Sequence, residues 1–375
     1  MAYGTVNADV IQSSVTNTSL GAGDASLMKN RIINGAMVID QRNAGASVTP
    51  TVTNQYTLDR WQAQLSVTSK YSVQQNAGSI TPPVGFTNYL GITSLSSYSV
   101  GSSDYFALRQ HIEGYNIADL GWGTANAKTV TLSFWVRSSL TGTFGGYLND
   151  AGDDYCYLFS YSIPTANTWT QISVTIVGPT SGTWNTTNGQ GIKLGFGLGT
   201  GSTYTSTAGS WQAGVYVQPT GSVSVVGTNG ATFYITGVQL EVGSSATGFE
   251  YVNYQTSLAN CQRYYQALQY VNASAIAIGQ CGSTSAAQAT TPLLQTMRAA
   301  PTITLPTVGT SAGNIVFLNS TQGFPATIGT ITTSFGVSTN TITFNGTGFT
   351  GSFVLGGAAI LYSVNSSTIQ ASAEL

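Results

Sequence analysis

The chain predicts an all-β protein: a β-sandwich of the jelly-roll kind followed by a second, smaller β domain. Three observations carry that expectation. Only 24 of the 375 residues are charged, 11 Lys and Arg against 13 Asp and Glu, so the charged faces that surface helices use are missing. The 44 glycines interrupt any three-to-four-residue apolar period before it sustains two turns. Short runs instead alternate with period two. A hydrophobic fraction of 42% with 11% aromatics supplies packed cores and excludes a charged disordered polymer.

The elements follow in order. Residues 1–28 are polar and poor in core-forming side chains, and read as an extended N-terminal attachment arm. Residues 29–252 form the large domain, which holds all six tryptophans. In TVTLSFWVR, Val130, Leu132, Phe134 and Val136 point one way, while Thr131, Ser133, Trp135 and Arg137 point the other. The run TWTQISVTIV repeats this with Ile172, Val174 and Ile176, and Thr232 to Val242 does so less regularly with Tyr234, Val238 and Leu240. Asn-Gly pairs at 34–35, 188–189, 229–230 and 345–346 supply turns with easy access to positive φ. Residues 253–260 read as a linker.

From 261 to 375 the texture changes. Arg263, Arg298 and Glu374 are the charged residues of this stretch, and its content is short strands such as TITLP, NIVFLN, TITFNG and SFVLGGAAILY. This is the expected C-terminal β domain, an oligomerisation or receptor-facing module. Edge strands with so little charge invite pairing, which predicts a homo-oligomer. The segment Arg263 to Tyr270, RYYQALQY, fits either a short helix or an aromatic strand, and Tyr264 and Tyr265 suit an inter-subunit contact.

Eleven cations scattered over this length cannot make the positive stripe that neutralises a phosphate backbone, so nucleic acid is excluded as a partner, and anionic membrane surfaces likewise. No run of 18 apolar residues and no basic-then-apolar N-terminus occurs, which predicts neither membrane insertion nor a secretory signal. Cys156, Cys261 and Cys281 are too few for a disulfide framework and read as free thiols, with a Cys261–Cys281 bridge as the alternative. The single histidine, His111 in ALRQHIEGY, lacks the partners of a zinc site or a nucleophile-base pair, and reads as a histidine on a partly exposed strand. Glycine-rich matches such as Gly197 to Gly201 are expected by chance here and open no helix. No enzyme and no cofactor are expected.

Two candidate sites remain. Asn149, Asp150, Asp153 and Asp154 in YLNDAGDDYCY read as a solvated hairpin turn that also carries hard oxygen ligands for a structural calcium ion, although the spacing is not that of an EF-hand. An uncharged surface of Ser, Thr, Asn and aromatics suits neutral sugars, whose apolar faces stack on rings. Trp184 in SGTWNTTNG and Trp211 in AGSWQAG lie in turn-like contexts and are candidates for display. Trp135, opposite Phe134, is the third ligand-binding candidate. Core or interface packing is the competing role for each.

The runs KNRIINGAMVIDQRNAG (Lys29 to Gly45), YTLDRW (Tyr56 to Trp61), LSFWVRSS, TWTQISVTI, FYITGVQLEVGSSATGFEY (from Phe233) and LANCQRYYQ (Leu258 to Gln266) occur in this order. Together they resemble tailed-bacteriophage virion proteins of the tail fibre, spike or collar type. The middle portion is similar to jelly-roll carbohydrate-binding modules. The resemblance implies a β-sandwich displayed on the virion, commonly a homotrimer, with the N-terminal arm fastened to other phage virion proteins. It carries no catalytic pattern and assigns no sugar-binding residue. The function it implies is host attachment through surface glycans, by many weak contacts acting together. The alternatives are a capsid decoration or baseplate connecting protein without a receptor, and a polysaccharide-degrading tailspike, whose repeated rungs are not apparent here.

Overall fold

The computed structural model describes residues 28–311, 314–319, 324–333, 337–351, 353–364 and 366–375. The expected attachment arm, apart from Met28, lies outside the described residues. Two compact units divide the chain, one up to Ser257 together with Leu375 and one from Leu258 to Glu374.

The first unit is built from β1 (Gln55–Leu58), β2 (Trp61–Leu65), β3 (Tyr71–Gln75), β4 (Leu90–Ser94), β5 (Tyr105–Glu113), β6 (Val130–Ser138) and β7 (Gly142–Asn149). There follow β8 (Tyr155–Ile163), β9 (Thr170–Ile176), β10 (Gln190–Thr200), β11 (Thr205–Ser206), β12 (Trp211–Ala213), β13 (Gln218–Pro219) and β14 (Thr232–Val242). One sheet runs β1-β2-β5-β10-β7-β8-β12 and a second runs β3-β4-β14-β6-β9, with a short parallel β11–β13 pair. Sequence-distant strands lie side by side, β14 between β4 and β6 and β10 between β5 and β7, as in a jelly roll. The all-β sandwich expected from the composition is the one found.

Alternation places the core. On β6, Val130, Leu132, Phe134 and Val136 are buried while Trp135 and Arg137 are half-buried on the other side. On β10, Ile192, Leu194, Phe196 and Leu198 turn inward. The two sheets meet where Phe134 of β6 stands edge-on to Phe196 of β10 at 5.0 Å, and Trp61, on the same sheet as Phe196, packs against it at 6.4 Å. The segments KNRIING and GVQLEVGSSATGFE, far apart in sequence, are tied together. Asn30 Oδ1 accepts the N–H groups of Ile32 and Leu240 at 2.9 and 3.0 Å, its Nδ2 donates to Val238 O, and the Glu250 carboxylate accepts the N–H groups of Lys29 and Asn30.

A helix, α1 (Tyr254–Gln262), occupies most of the stretch expected as a linker, and the boundary between units falls inside it. Asn253 explains the start: its side-chain oxygen accepts the Thr256 N–H at 2.8 Å, an N-cap that a reading of local polarity overlooks. RYYQALQY then resolves to a strand, β15 (Tyr265–Tyr270).

The second unit continues with β16 (Ser274–Cys281), β17 (Ala286–Pro292), β18 (Thr302–Thr304), β19 (Ile315–Leu318), β20 (Thr330–Thr332), β21 (Thr341–Thr347), β22 (Ala358–Ser363) and β23 (Ser367–Ser372). A three-stranded sheet, β15-β23-β18, accompanies a six-stranded one, β19-β22-β16-β17-β21-β20. Phe317, Ile342, Phe344, Phe349, Leu361 and Ile369 belong to its own core. Tyr264 and Tyr265 are buried within the chain, so they are not surface rings. All three cysteines are buried and free, so no Cys261–Cys281 bridge forms. Among the described residues no helix is long and apolar enough to cross a membrane.

Candidate functional site

The outward face of the seven-stranded sheet is unusual in its polarity. The same alternation that sends Phe106, Leu108 and Ile112 of β5 into the core sends Arg109 and His111 the other way. Register aligns them with their neighbours: Gln62 of β2 lies opposite Arg109, and His111 lies opposite Lys193 of β10, which in turn faces Asn149 of β7. The segment around Tyr204, Ala208, Tyr216 and Val217 packs over Ala107, Cys156 and Leu158 and covers one part of this face. The uncovered part is a cleft of about 450 Å³, whose lining includes Asn54, Gln64, Arg109, His111, Asp153 and Lys193.

Two glycines on β10 make this arrangement feasible. A Cβ on Gly195 would stand 2.2 Å from the Tyr147 ring, and one on Gly197 would stand 2.1 Å from the Gln218 side chain. With hydrogen at position 195, the Tyr147 ring crosses the strand and its hydroxyl donates to Gln64 Oε1 at 2.7 Å. Burial pushes the Tyr147 hydroxyl up to about 12, against the lowering influence of Arg109, so it stays a neutral donor. Arg109 is fixed from two sides, its Nε donating to Gln62 Oε1 and its Nη2 to Asn54 Oδ1, both at 2.7 Å. Lys193 is paired with Asp153, which also accepts from Asn149 Nδ2 at 3.1 Å. His111 is 5% exposed, not on a partly exposed strand as its sequence context suggests. Burial, then the Arg109 charge, hold its imidazole well below the usual histidine range. Its Nε2 is buried without a hydrogen-bond partner.

The acidic turn is divided among separate tasks. Asp150 Oδ1 accepts the N–H groups of Asp154 and Tyr155 at 2.9 and 3.3 Å and so builds the turn between β7 and β8. Asp153 points to Lys193, and Asp154 is exposed. Among the described residues no three His, Cys, Asp or Glu side chains are grouped to hold a metal ion. The three carboxylates expected to hold calcium, Asp150, Asp153 and Asp154, thus have different partners in this structure. Neighbours in sequence diverge here because the turn needs one carboxylate for its own backbone and a buried ammonium claims another.

Trp184 and Trp211 come together, but mainly as packing. With Trp122 they form three mutual edge-on contacts at centroid distances of 4.9, 5.4 and 5.5 Å. Trp184 is 9% exposed and its indole N–H donates to Ser181 O, so the display expected of it is not found. Trp211 is half-buried, lies nearly parallel to Tyr155 at 5.6 Å, and donates to Val177 O at 2.7 Å. Trp135 is half-buried on the five-stranded sheet, away from both the cleft and this cluster.

No protein-family model matches the chain, and no curated protein matches it. Among solved structures, the chain is similar to the tailspike protein 4 enzymatically active domain of bacteriophage CBA120, at 12% identity over 57% of this chain with a TM-score of 0.33. It spans about a fifth of that protein, 21% of its length. A family 4 carbohydrate-binding module is similar at 14% identity over 56% of this chain and 97% of the module, TM-score 0.29. A family 11 carbohydrate-binding module from Clostridium thermocellum, in complex with a β-1,3-1,4-mixed-linked tetrasaccharide, is similar at 9% identity over 54% and 98%, TM-score 0.26. These likenesses concern fold alone, and a fold hosts many functions.

The cleft residues Gln64, Arg109 and Lys193, and Tyr147 that supports Gln64, are absent from the sequence-level candidates. The signal that could have found Arg109 was present in YFALRQHIE, where strand alternation opposes it and His111 to Leu108 and Ile112. Nothing local marks Tyr147 or Gln64, which are joined only through the register of four strands.

Proposed function

We propose that the chain is a virion surface protein of the fibre or spike type that helps attach the particle to host-surface glycans, acting as a homotrimer and without covalent chemistry. The observation that carries this reading is the polar cleft. Its volume falls within the range of about 300–1,000 Å³ common for small-ligand sites. Its hydrogen-bonding side chains are held by one another before any ligand arrives, as in the Tyr147–Gln64 and Gln62–Arg109–Asn54 contacts. Such preorganisation lowers the ordering cost of binding, and amides, a guanidinium and hydroxyls match the hydroxyls of a sugar.

The sequence resemblance to tailed-phage virion proteins supports the location, with residues 1–28 as the attachment to neighbouring virion proteins. The second unit, with three charged residues, supports contact between copies, since identical uncharged faces do not repel. Three copies would present three clefts, and weak sites combine through effective concentration. The test is binding of the purified oligomer to host cells. Gln64→Ala and Asn54→Ala should each weaken binding by about tenfold, the worth of one or two hydrogen bonds in a desolvated site. Undiminished binding by both variants would sink the cleft as the attachment site.

A further inference from the structure

We propose that the cleft selects a glycan carrying negative charge, with Arg109 holding a carboxylate or phosphate on the sugar and His111 meeting a neighbouring hydroxyl. This rests on the reading of the cleft as a glycan site and names the chemical class that it takes.

The first observation is an uncompensated cation. Arg109 is 6% exposed on β5, yet its hydrogen-bond acceptors, Gln62 Oε1 and Asn54 Oδ1, are neutral amide oxygens. Among the described residues no carboxylate lies within ion-pairing distance of it. Lys193, the other cation of the cleft, is already neutralised by Asp153. A guanidinium withdrawn from water without a counter-ion is costly, and an anionic ligand removes that cost. Arginine has five N–H groups, of which two are engaged by the amides. Three remain for a ligand or for the Tyr147 hydroxyl beside it. Their planar fork matches the paired oxygens of carboxylate and phosphate alike.

The second observation is independent. His111 lines the same cleft and is more than nine-tenths buried; its Nδ1 lies 2.9 Å from the carbonyl oxygen of Leu375, which also lines the cleft, while its Nε2 has no partner. A buried ring nitrogen left unpaired in the free protein is satisfied by a hydroxyl arriving with a ligand. Burial and the Arg109 charge lower the proton affinity of the imidazole, against the hydrogen bond to Leu375, so the ring is neutral where a ligand would meet it.

The test uses the full chain on an array of bacterial surface glycans that carry carboxylates, phosphates or no charge. Charged glycans should be retained about tenfold or more above neutral ones, and retention should fall as salt is raised. Arg109→Gln should remove the preference, and Arg109→Lys, which keeps the charge, should keep part of it while reporting that the fold survives. The carboxylate and phosphate arms identify which anion is read. Equal retention of neutral and charged glycans, still lost in Gln64→Ala, would overturn the charge selection and leave the glycan cleft standing. Retention of no class, or retention indifferent to Gln64→Ala, would overturn both.

Discussion

At the scale of single residues, Gly195 carries the most structure per atom. A methyl group there collides with the Tyr147 ring, so Gly195→Ala should cost about 1–3 kcal/mol, the usual price of overpacking, measured by urea unfolding. The same variant should weaken glycan retention, because Gln64 loses the Tyr147 hydroxyl. His111 gives a pH dependence with a definite sign. Its folded proton affinity is lowered below the ordinary value of 6.5, so below that pH the unfolded chain binds more protons than the folded one. Its contribution is therefore fully present above pH 6.5 and is lost as pH falls below it, by at most about 1.4 kcal/mol per pH unit. His111→Gln should flatten the stability profile between neutral and mildly acidic pH, and an unchanged slope would place the proton uptake elsewhere. That His111 lies on a strand was legible in ALRQHIEGY, but its burial was not, because covering depends on chain segments remote from that run. Trp184 and Trp211 illustrate the converse. Their glycine-rich surroundings suggest display, whereas Gly182 and Gly123 pack directly on the Trp184 indole.

At the scale of elements, strands with strict alternation were the readable ones. TVTLSFWVR placed Phe134 inward and Trp135 outward, as found. α1 was not readable as an amphipathic helix, since its buried residues are confined to Cys261 and Gln262 at its end, and its clearest signal is the Asn253 cap. In the acidic turn between β7 and β8, carboxylates close in sequence serve backbone N–H groups, an ammonium and solvent. Chelator should therefore leave the melting temperature unchanged. Asp153→Asn should destabilise by about 1–3 kcal/mol by leaving the Lys193 ammonium, 6% exposed, without its anion. A chelator-induced drop in melting temperature would revive a cation in this turn.

At the scale of the whole chain, the fall in charge after residue 260 separated two textures, and the structure has two units with separate cores. Phe344→Ala, in the second core, should cost about 3–5 kcal/mol and lower one unfolding transition while leaving the other in place, as scanning calorimetry would read. A common shift of all unfolding signals would mean that the two cores unfold as one. Adhesion itself is read most directly by hydrogen–deuterium exchange of the full chain with and without host surface polysaccharide. Slowed exchange is predicted in β5, β10 and the 150–154 turn, around the cleft. Slowing confined to the loops of Trp122, Trp184 and Trp211, or to the second unit, with the cleft unchanged, would contradict it.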